Sequence, residues 1–333
     1  MRHQHLSTYL PNVCKYFSRT LSSSTAAHYP RFQWSATSPS FQKFGRYDAL
    51  FPGSHPSSFQ IRSVPDHIRK PDYALTKDGS PAEWSLEIPI YGPEEVEGVR
   101  QACKLAKKIL EMGGEMCKPG ITTEQIDNVL HDAIVSHGAY PSPLNYKGFP
   151  RSICTSISNV IAHGIPDSRP LRDGDIINVD ITVYLNGFHG DTSATFLVGN
   201  VDEKGKHLVN TTKECLEIAI EHCKPGIPFN EVGRVIERHA SKAGYTINRE
   251  FSGHGIGRMF HTLPLILHYE NTEDFGEMLP GMIFTVEPML CQGRADGFLW
   301  PDKWTVSTLD GGRSAQWEHT VLITENGVDI LTK

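Results

Sequence analysis

Two aspartates occur in an otherwise apolar stretch of the sequence, INVDITVYLNGFHGDTSATF. Its Asn186-Gly187 pair, between alternating apolar runs, predicts a β-hairpin with a two-residue type I′ turn. Such a turn sets the strand register, so Thr182 is expected to lie opposite Asp191. Because side chains alternate along a strand, Asp180 and Asp191 would then point to one face as diagonal neighbours.

These two carboxylates require a positive partner. On a partly buried face they repel each other unless a cation lies between them. No Lys or Arg occurs between Arg172 and Lys204, so a metal cation is the most economical partner. An exposed hairpin with two hydrated aspartates is the alternative that this stretch leaves open.

Ionisable side chains recur in four further apolar or glycine-rich segments. These are NVIAHGIP with His163, FSGHGIGRMFH with His254 and His261, GMIFTVEPML with Glu287, and SAQWEHTVLIT with Glu318. Each has an ordinary structural explanation when taken singly, because a histidine in a loop is more often hydrogen-bonded than a ligand.

Taken together, the carboxylates and one histidine form a candidate metal-binding set. Asp180, Asp191, His254, Glu287 and Glu318 supply four carboxylates and one imidazole. Such an oxygen-rich set suits hard to borderline divalent ions, not a cysteine-bound structural zinc. Two divalent ions would neutralise four carboxylate charges. Two ions that share carboxylates lower the pKa of a bridging water, so the set predicts hydrolysis of an amide or ester.

Helix patterns precede the strands that carry these residues. Pro93 suits the first position of one helix, and Thr122 with Gln125 predicts a capping box at the start of a second. The expected apolar faces are Val96, Val99, Cys103, Ala106 and Leu110 in the first helix, and Ile126, Val129, Leu130, Ala133 and Ile134 in the second.

A repeat relates the two parts of the sequence. CKPGITTEQIDNVLHDAIVSHGAY, from Cys117, returns as CKPGIPFNEVGRVIERHASKAGY, from Cys223. Each copy follows a helix pattern and precedes strand patterns. The repeat predicts an α+β domain of two pseudo-symmetric α-then-β halves around a central antiparallel sheet, with the site where the halves join.

The distribution of charge divides the chain. Residues 1–47 contain six basic residues and no acidic one, and they are rich in Ser and Thr without a long apolar segment. We interpret residues 1–45 as a mitochondrial transit peptide; chloroplast import and a disordered basic tail are the alternatives. The rest is divided into a Pro-rich extension over 46–92, expected to lie across the surface of the main domain, and a catalytic domain over 93–333, with halves at about 93–200 and 207–333.

Composition argues against several classes of protein. The formal net charge is −6 without a basic stripe, which argues against a nucleic-acid partner. No apolar run approaches the roughly eighteen residues of a membrane span. Seven cysteines form no CxxC pair, which excludes the common zinc-finger patterns and suits reduced thiols in a cytosolic or matrix protein.

Five segments of the sequence resemble type 1 methionine aminopeptidases. They are FSGHGIGRMFHTLPLILHY, NVDITVYLNGFHGDTS, SICTSISNVIAHGIP, FTVEPML and SAQWEHTVLIT. The resemblance covers about residue 62 to the last residue and implies the pita-bread fold, which agrees with the repeat. The interval between Glu287 and Glu318 is too short for the helical insertion of type 2 enzymes. A transit-like segment replaces the Cys/His zinc-binding region of cytosolic eukaryotic members, so the chain resembles the mitochondrial form.

The resemblance implies a role for each site residue. The metal ligands would be Asp180, Asp191, His254, Glu287 and Glu318. Asp191 and Glu318 would bridge two divalent ions, and Glu287 would also be the general base. His163 and His261 would be catalytic, substrate-binding residues that hold no metal.

The resemblance also places a substrate pocket. Its lining maps onto Tyr146, Phe149, Cys154, Phe260 and Trp304. Aromatic rings and sulfur suit an unbranched thioether side chain. Ordinary core packing is the alternative for each of these five residues.

The implied activity is the removal of the N-terminal methionine from newly made, deformylated polypeptides when the second residue is small. Attack by a metal-activated hydroxide would cleave the peptide bond. The cofactors would be two divalent ions, either Co²⁺, Mn²⁺, Fe²⁺ or Zn²⁺, and affinity and availability together decide which. The expected location is the mitochondrial matrix, and the expected state is a monomer without membrane insertion or nucleic-acid binding.

Two other functions stay open. An Xaa-Pro aminopeptidase or prolidase shares the five-ligand pattern, but usually carries a sizeable N-terminal domain for which the Pro-rich extension is too short. A catalytically inactive pita-bread protein that acts as a binding module is the second. Such proteins lose ligands, whereas all five are present here.

Overall fold

A computed structural model describes residues 43–53, 61–81 and 87–333, so most of the expected transit segment lies outside the described residues. The α-helices are α1 Pro93–Met116, α2 Thr123–Ser136, α3 Glu203–Glu221 and α4 Asn230–Lys242, and 3₁₀ helices span Asp72–Leu75 and Tyr146–Gly148. The strands are β1 Tyr140–Pro141, β2 Cys154–Ile157, β3 Val160–Ala162, β4 Ile176–Leu185, β5 Phe188–Leu197, β6 Thr246–Ile247, β7 Gly253–Gly255, β8 Thr262–Ile266, β9 Ile283–Val286, β10 Met289–Cys291, β11 Gly297–Leu299, β12 Val306–Thr308, β13 Ser314–Gln316, β14 Glu318–Ile323 and β15 Val328–Ile330.

The first two helices begin where the sequence predicts. Pro93 is the first residue of α1, and the Glu95 carboxylate accepts a hydrogen bond from the Gly92 N–H at 3.2 Å. In α2, the Gln125 N–H donates to Thr122 Oγ1 at 3.1 Å, and the Thr122 N–H donates to Gln125 Oε1 at 2.8 Å. The predicted capping box is therefore confirmed, and it satisfies backbone donors that have no partner inside the helix.

The predicted apolar faces are wrong for one residue, Val129. In α2, Ile126, Leu130 and Ile134 are completely buried, whereas Val129 is 44% exposed. The three buried residues are four positions apart and follow one row of the helix toward the sheet. Val129 lies beside that row, where the helix surface already turns toward solvent.

Both copies of the sequence repeat take the same local structure. The sulfur of each cysteine donates to the carbonyl four residues earlier, at 3.3 Å for Cys117 and 3.4 Å for Cys223. The glycines three positions later, Gly120 and Gly226, have φ angles of 92° and 80°, which favour glycine. Each copy thus ends one helix and turns the chain sharply into the next.

The central sheet has nine antiparallel strands in the described residues. Seven of them follow the order β1-β4-β5-β14-β9-β7-β8, while β2 pairs with β4 and β15 pairs with β14. Two three-stranded sheets, β13-β10-β6 and β11-β12-β3, lie beside it. The pairing of β5 with β14 joins strands that follow the first helix pair to strands that follow the second. The α+β class and the central antiparallel sheet are confirmed.

The helices cover one face of this sheet. Helices α1 and α2 pack on β4 and β5, where Val179 and Ile181 are completely buried. Helices α3 and α4 pack on β9 and β14 through a second apolar cluster that includes Phe284 and Val321. Side chains alternate along a strand, so the residues between these buried ones, among them Asp180, point away from the helices. The other face of the sheet is therefore left for polar side chains.

The N-terminal extension forms hydrogen bonds with the main domain and buries a side chain against it, which a linker that only crosses the surface would not do. The Leu50 N–H donates to Asn159 Oδ1 at 2.6 Å, and Asn159 Nδ2 donates to the Leu50 carbonyl at 2.9 Å. Tyr73 is buried, with 2% of its surface exposed. None of the helices in the described ranges is both long and apolar enough to cross a membrane.

Candidate active site

The hairpin of β4 and β5 sets the positions of the two aspartates. Asn186 and Gly187 have φ angles of 53° and 101°, and a type I′ turn requires positive φ at both positions. Thr182 lies opposite Asp191 in the ladder, so the predicted register is confirmed. The Thr182 hydroxyl also donates to Asp191 Oδ1 at 2.7 Å, which fixes the orientation of that carboxylate.

A row of acidic residues crosses the sheet on the face opposite the helices. Ser193 of β5 lies opposite both Asp180 of β4 and Glu318 of β14. Glu287 follows β9 directly and continues the β14 register, which places it opposite Glu318. Opposed residues in an antiparallel ladder point to the same face, as do residues two apart such as Asp191 and Ser193. The sheet therefore gathers all four predicted acidic ligands on one surface.

His254 of β7 completes this set. Its Nε2 lies 3.7 Å from Asp191 Oδ2 and 3.6 Å from Glu287 Oε1. One ligand atom each from Asp191, His254 and Glu318 lie within 4.8 Å of one another. The His254 Nδ1 donates to the Gly255 carbonyl at 3.2 Å, so Nε2 carries the lone pair that faces the carboxylates.

Burial and mutual repulsion make this cluster unfavourable without a cation. Burial raises the pKa of Asp180 to about 7. The pKa values of Asp191, Glu287 and Glu318 lie well above their usual range, first because of burial and then because of the neighbouring carboxylates. In the described part of the chain, none of the four forms an ion pair with Lys or Arg. The donor set therefore fits divalent metal ions.

Three further polar side chains support the acidic residues, and sequence reasoning missed two of them. The Thr285 hydroxyl donates to Glu287 Oε1 at 2.8 Å, and Gln316 Nε2 donates to Glu287 Oε2 at 3.2 Å. The third is Thr182. Each stands two positions from a predicted ligand along the chain. Since residues two apart in a strand share a face, this spacing is the signal that could have found Thr285 and Gln316.

Metal binding is expected to release protons. Carboxylates with raised pKa values hold protons near pH 7, and a metal ion must displace them. The apparent dissociation constant should therefore decrease as the pH rises from about 6 to about 8. Titration calorimetry with Mn²⁺ in buffers of different ionisation enthalpy measures the protons released. The same affinity across this range, without proton release, would contradict the raised pKa values.

The five predicted pocket residues form two neighbouring groups. The rings of Tyr146 and Phe260 lie 4.9 Å apart, and those of Phe149 and Trp304 lie 5.1 Å apart with Cys154 in the same cluster. The Phe149 N–H donates to the Tyr146 carbonyl at 3.0 Å, which links the two groups. All the predicted pocket residues are thus aromatic or sulfur side chains of one region.

Each predicted catalytic histidine lies against one of these groups. The His261 ring is centred 5.0 Å from Tyr146 and 4.2 Å from the His254 ring. The His163 ring is centred 5.9 Å from Trp304. Burial lowers the pKa of His163 to about 4 and also lowers that of His261, so both rings are neutral at pH 7. Neutral imidazoles at these positions can donate hydrogen bonds without adding charge.

The class of the protein follows from comparison with known sequences. Residues 97–325 match Metallopeptidase family M24, and the chain belongs to this family. Over 270 residues it is 51% identical to methionine aminopeptidase 1D, mitochondrial, of Homo sapiens, with 81% of this chain and 80% of that protein covered. It is 52% identical over 270 residues to methionine aminopeptidase 1B, chloroplastic, of Arabidopsis thaliana, with 81% and 72% covered.

A solved structure supports the fold. Methionine aminopeptidase from Rickettsia prowazekii matches with a TM-score of 0.73 and 44% identity, covering 74% of this chain and all of that one. Together with the family match, this similarity confirms the predicted pita-bread fold.

Proposed function

We propose that this chain removes the N-terminal methionine from newly made polypeptides whose second residue is small. One observation carries the proposal: four carboxylates and one imidazole share a sheet face beside an aromatic and sulfur-containing pocket. The chain is a metallopeptidase of family M24, and its relatives of about half identity are methionine aminopeptidases. It is therefore a methionyl aminopeptidase that depends on divalent metal.

Asp180, Asp191, His254, Glu287 and Glu318 would hold the metal. Their four negative charges balance two divalent ions, which is the basis for proposing two. When bound, such ions act as Lewis acids and lower the pKa of water. Asp191 and Glu318 would serve both ions. Asp191 lies near the centre of the row of acidic residues. The carboxylates of both Asp191 and Glu318 are close to His254.

Glu287 is the proposed general base. Burial and the neighbouring Asp191 raise its pKa, so this carboxylate accepts a proton more readily than an exposed glutamate. It would take a proton from water and pass it to the leaving amine. Hydrogen bonds from Thr285 and Gln316 hold both of its oxygens. Glu287 would thus move a proton without changing the position of its side chain.

His261 and His163 are the proposed hydrogen-bond donors to the substrate. In the described residues, His261 Nδ1 is buried without a hydrogen-bond partner, which leaves a ring nitrogen to be satisfied by a ligand. His163 lies beside Trp304, at the other group of pocket residues. A neutral N–H directed at the scissile amide would stabilise the oxyanion that develops there.

The test of function is a peptide panel. Purified protein with Mn²⁺ or Co²⁺ is expected to release methionine from Met-Ala-Ser and to leave Met-Lys-Ser intact, because the family resemblance implies that only a small second residue is accepted. Formyl-Met-Ala-Ser should also be resistant, since the family resemblance implies a substrate with a free amino group. Released methionine is measured by chromatography.

Two controls accompany this panel. Chelation should abolish methionine release, and added Mn²⁺ should restore it. Efficient cleavage of Ala-Pro peptides in place of Met-Ala peptides would assign the protein to the Xaa-Pro aminopeptidases or prolidases. Metal binding without cleavage of any peptide would favour the inactive binding module.

A mitochondrial location is supported by the name of the human relative and by the basic, acid-free composition of residues 1–47. We propose the matrix as the compartment. Residues 1–45, fused to a fluorescent protein, are expected to carry it into the matrix, as seen by protection from protease in isolated organelles. Plastid import, which the name of the Arabidopsis relative suggests, or a diffuse cytosolic signal would overturn this proposal.

A further inference from the structure

The loop over residues 144–149, here called the pocket loop, is bound by the N-terminal extension. The Lys147 N–H donates to the Gly79 carbonyl at 2.8 Å. The Asn145 side chain donates to the carbonyls of Thr76 at 3.0 Å and Tyr73 at 3.3 Å. The pocket loop carries the pocket residues Tyr146 and Phe149, so the extension contacts the loop beside them.

These bonds hold the loop in an unfavourable backbone conformation. Asn145 and Lys147 have φ angles of 62° and 48°, in the left-handed region that residues with a side chain rarely adopt. Both residues make the hydrogen bonds described above. The contacts with the extension therefore offset the cost of the loop conformation and fix the direction of Tyr146 between them.

Gly79 permits this close approach. Its φ is 69°, and a Cβ atom at this position would lie 1.6 Å from the Asn145 carbonyl oxygen. Any side chain would therefore separate residue 79 from the pocket loop. Only glycine allows the extension and the loop to keep their present distance.

Tyr73 connects the extension to a second pocket residue. Its hydroxyl donates to the Ser142 carbonyl at 2.7 Å, and its ring meets Tyr146 edge-on at 5.0 Å. The Ser142 hydroxyl is hydrogen-bonded to His189 Nδ1 at 2.8 Å, and the His189 ring stacks on Phe260 at 5.3 Å. The extension thus supports both aromatic residues that lie next to His261.

A cavity of about 250 Å³ lies between the extension and the proposed active site. Asp72, Tyr73 and Pro81 line one side, and Tyr146, Arg258 and His261 line the other. The proposed pocket residues Tyr146 and Phe260 line it, whereas Cys154 and Trp304 do not, so this cavity adjoins the proposed methionine pocket on the side of the extension. Because His261 is expected to bind the scissile amide, the cavity lies where a polypeptide would continue. The match to the family begins only at residue 97, after the segment that forms this wall.

The cavity has charged side chains on both of its walls. Arg258 already forms an ion pair with Glu95 at 2.9 Å. Asp72 is exposed and contributes a carboxylate to the opposite wall. Reversal of the charge at position 72 would therefore change how the cavity accepts a charged residue in the third position of a substrate.

We propose that residues 71–81 are part of the substrate-binding cleft. They hold the pocket loop in its binding conformation, and they form the outer wall of a cavity that receives the third and later residues of the polypeptide. The inference rests on the proposed methionine aminopeptidase function.

Gly79→Ala tests how the extension positions the pocket loop. If about a tenth of the molecules keep the loop in its binding conformation, KM for a pentapeptide Met-Ala-Ser-Lys-Ala rises about tenfold. The kcat value and the metal content should stay near those of the wild type. Gly138→Ala is the matched control, because Gly138 has a similar φ of 72° and a Cβ atom added there would meet no other atom within 4 Å. Unchanged KM in Gly79→Ala, or an equal rise in both variants, would overturn the positioning role.

Asp72→Lys tests the cavity and does not depend on whether Gly79→Ala folds. The quantity measured is the ratio of kcat/KM for Met-Ala-Lys-Ser to kcat/KM for Met-Ala-Glu-Ser, in the wild type and in each variant. Charge reversal should shift this ratio toward Glu by about fivefold, the effect of a contact worth about 1 kcal/mol in water. The control is Glu115→Lys, an exposed acid of α1 that lies outside the extension and does not line the cavity.

The outcomes of this second test separate the inference from the function on which it rests. An identical ratio in the wild type and both variants would overturn the cavity as a subsite. A wild-type protein that releases no methionine from either peptide would instead refute the proposed function.

Discussion

Asp191→Asn and Glu318→Gln are each expected to lose metal and almost all activity. Both residues offer a ligand atom in the three-residue group with His254, so either substitution would leave the proposed metal ions with one negative ligand fewer. Lewis-acid stabilisation is worth several kcal/mol, and about 4 kcal/mol corresponds to about a thousandfold decrease in rate. Metal content per chain by mass spectrometry and kcat/KM for Met-Ala-Ser are the measurements.

The same variants should make the metal-free protein more stable. Their carboxylates are buried together, and the repulsion that raises their pKa values also destabilises the folded state at neutral pH. A neutral amide removes one charge from that repulsion at nearly the same volume. A higher melting temperature in the presence of a chelator, combined with lost activity, distinguishes a ligand from a residue that only supports the fold.

Asp127→Asn is the matched control for these ligand variants. Asp127 is also buried, and burial raises its pKa to about 6. Its Oδ1 accepts hydrogen bonds from the N–H groups of Ser152 and Ile153, which an asparagine oxygen can also accept. Metal content and activity should remain near the wild-type values. Full activity of Asp191→Asn in metal-free buffer would refute the metal centre itself.

His261→Ala and His163→Ala are expected to decrease kcat by about 10²–10³ while KM changes little. Loss of a hydrogen-bond donor to a developing oxyanion affects the transition state more than the bound substrate. Neither ring adds a negative charge, so the metal stoichiometry should equal that of the wild type. Steady-state kinetics on Met-Ala-Ser and metal analysis of the same samples test both statements.

His254→Ala provides the comparison for these two histidines. The three rings lie in the same region, and those of His254 and His261 are only 4.2 Å apart. Only His254 has a ring nitrogen close to two of the acidic side chains. This variant should therefore lose metal, whereas the other two keep it. Metal loss in His261→Ala or His163→Ala would make that histidine a ligand.

Local patterns in the sequence were sufficient for the parts of the site that lie on one hairpin. Asn186-Gly187 determines a turn type, the turn determines a register, and the register determines which side chains share a face. The meeting of Asp191 with His254 could not be derived from periodicity, because it depends on the order of strands from distant parts of the chain. The family resemblance supplied that information.

The apolar pattern of the sequence did not predict the burial of single residues whose exact position decides whether they are exposed. Val129 fits an apolar helix face but lies at its edge, where a difference of one position changes burial. Tyr73 has no periodic apolar neighbours, so its burial in the Pro-rich extension has no signature in the sequence. Its burial results from a specific fit against Tyr146 and Ser142.

The pairing of β5 with β14 has a consequence for how the protein becomes active. The acidic row crosses this pair, with Asp180 and Asp191 on the early side and Glu318 on the late side. Glu318 is the last of the five proposed ligands along the chain. When the polypeptide is threaded N-terminus first through a narrow channel, four donors emerge before the fifth. The proteolytic activity would therefore be absent until the second half of the sheet has docked, because a partly emerged chain has only four of the five proposed ligands.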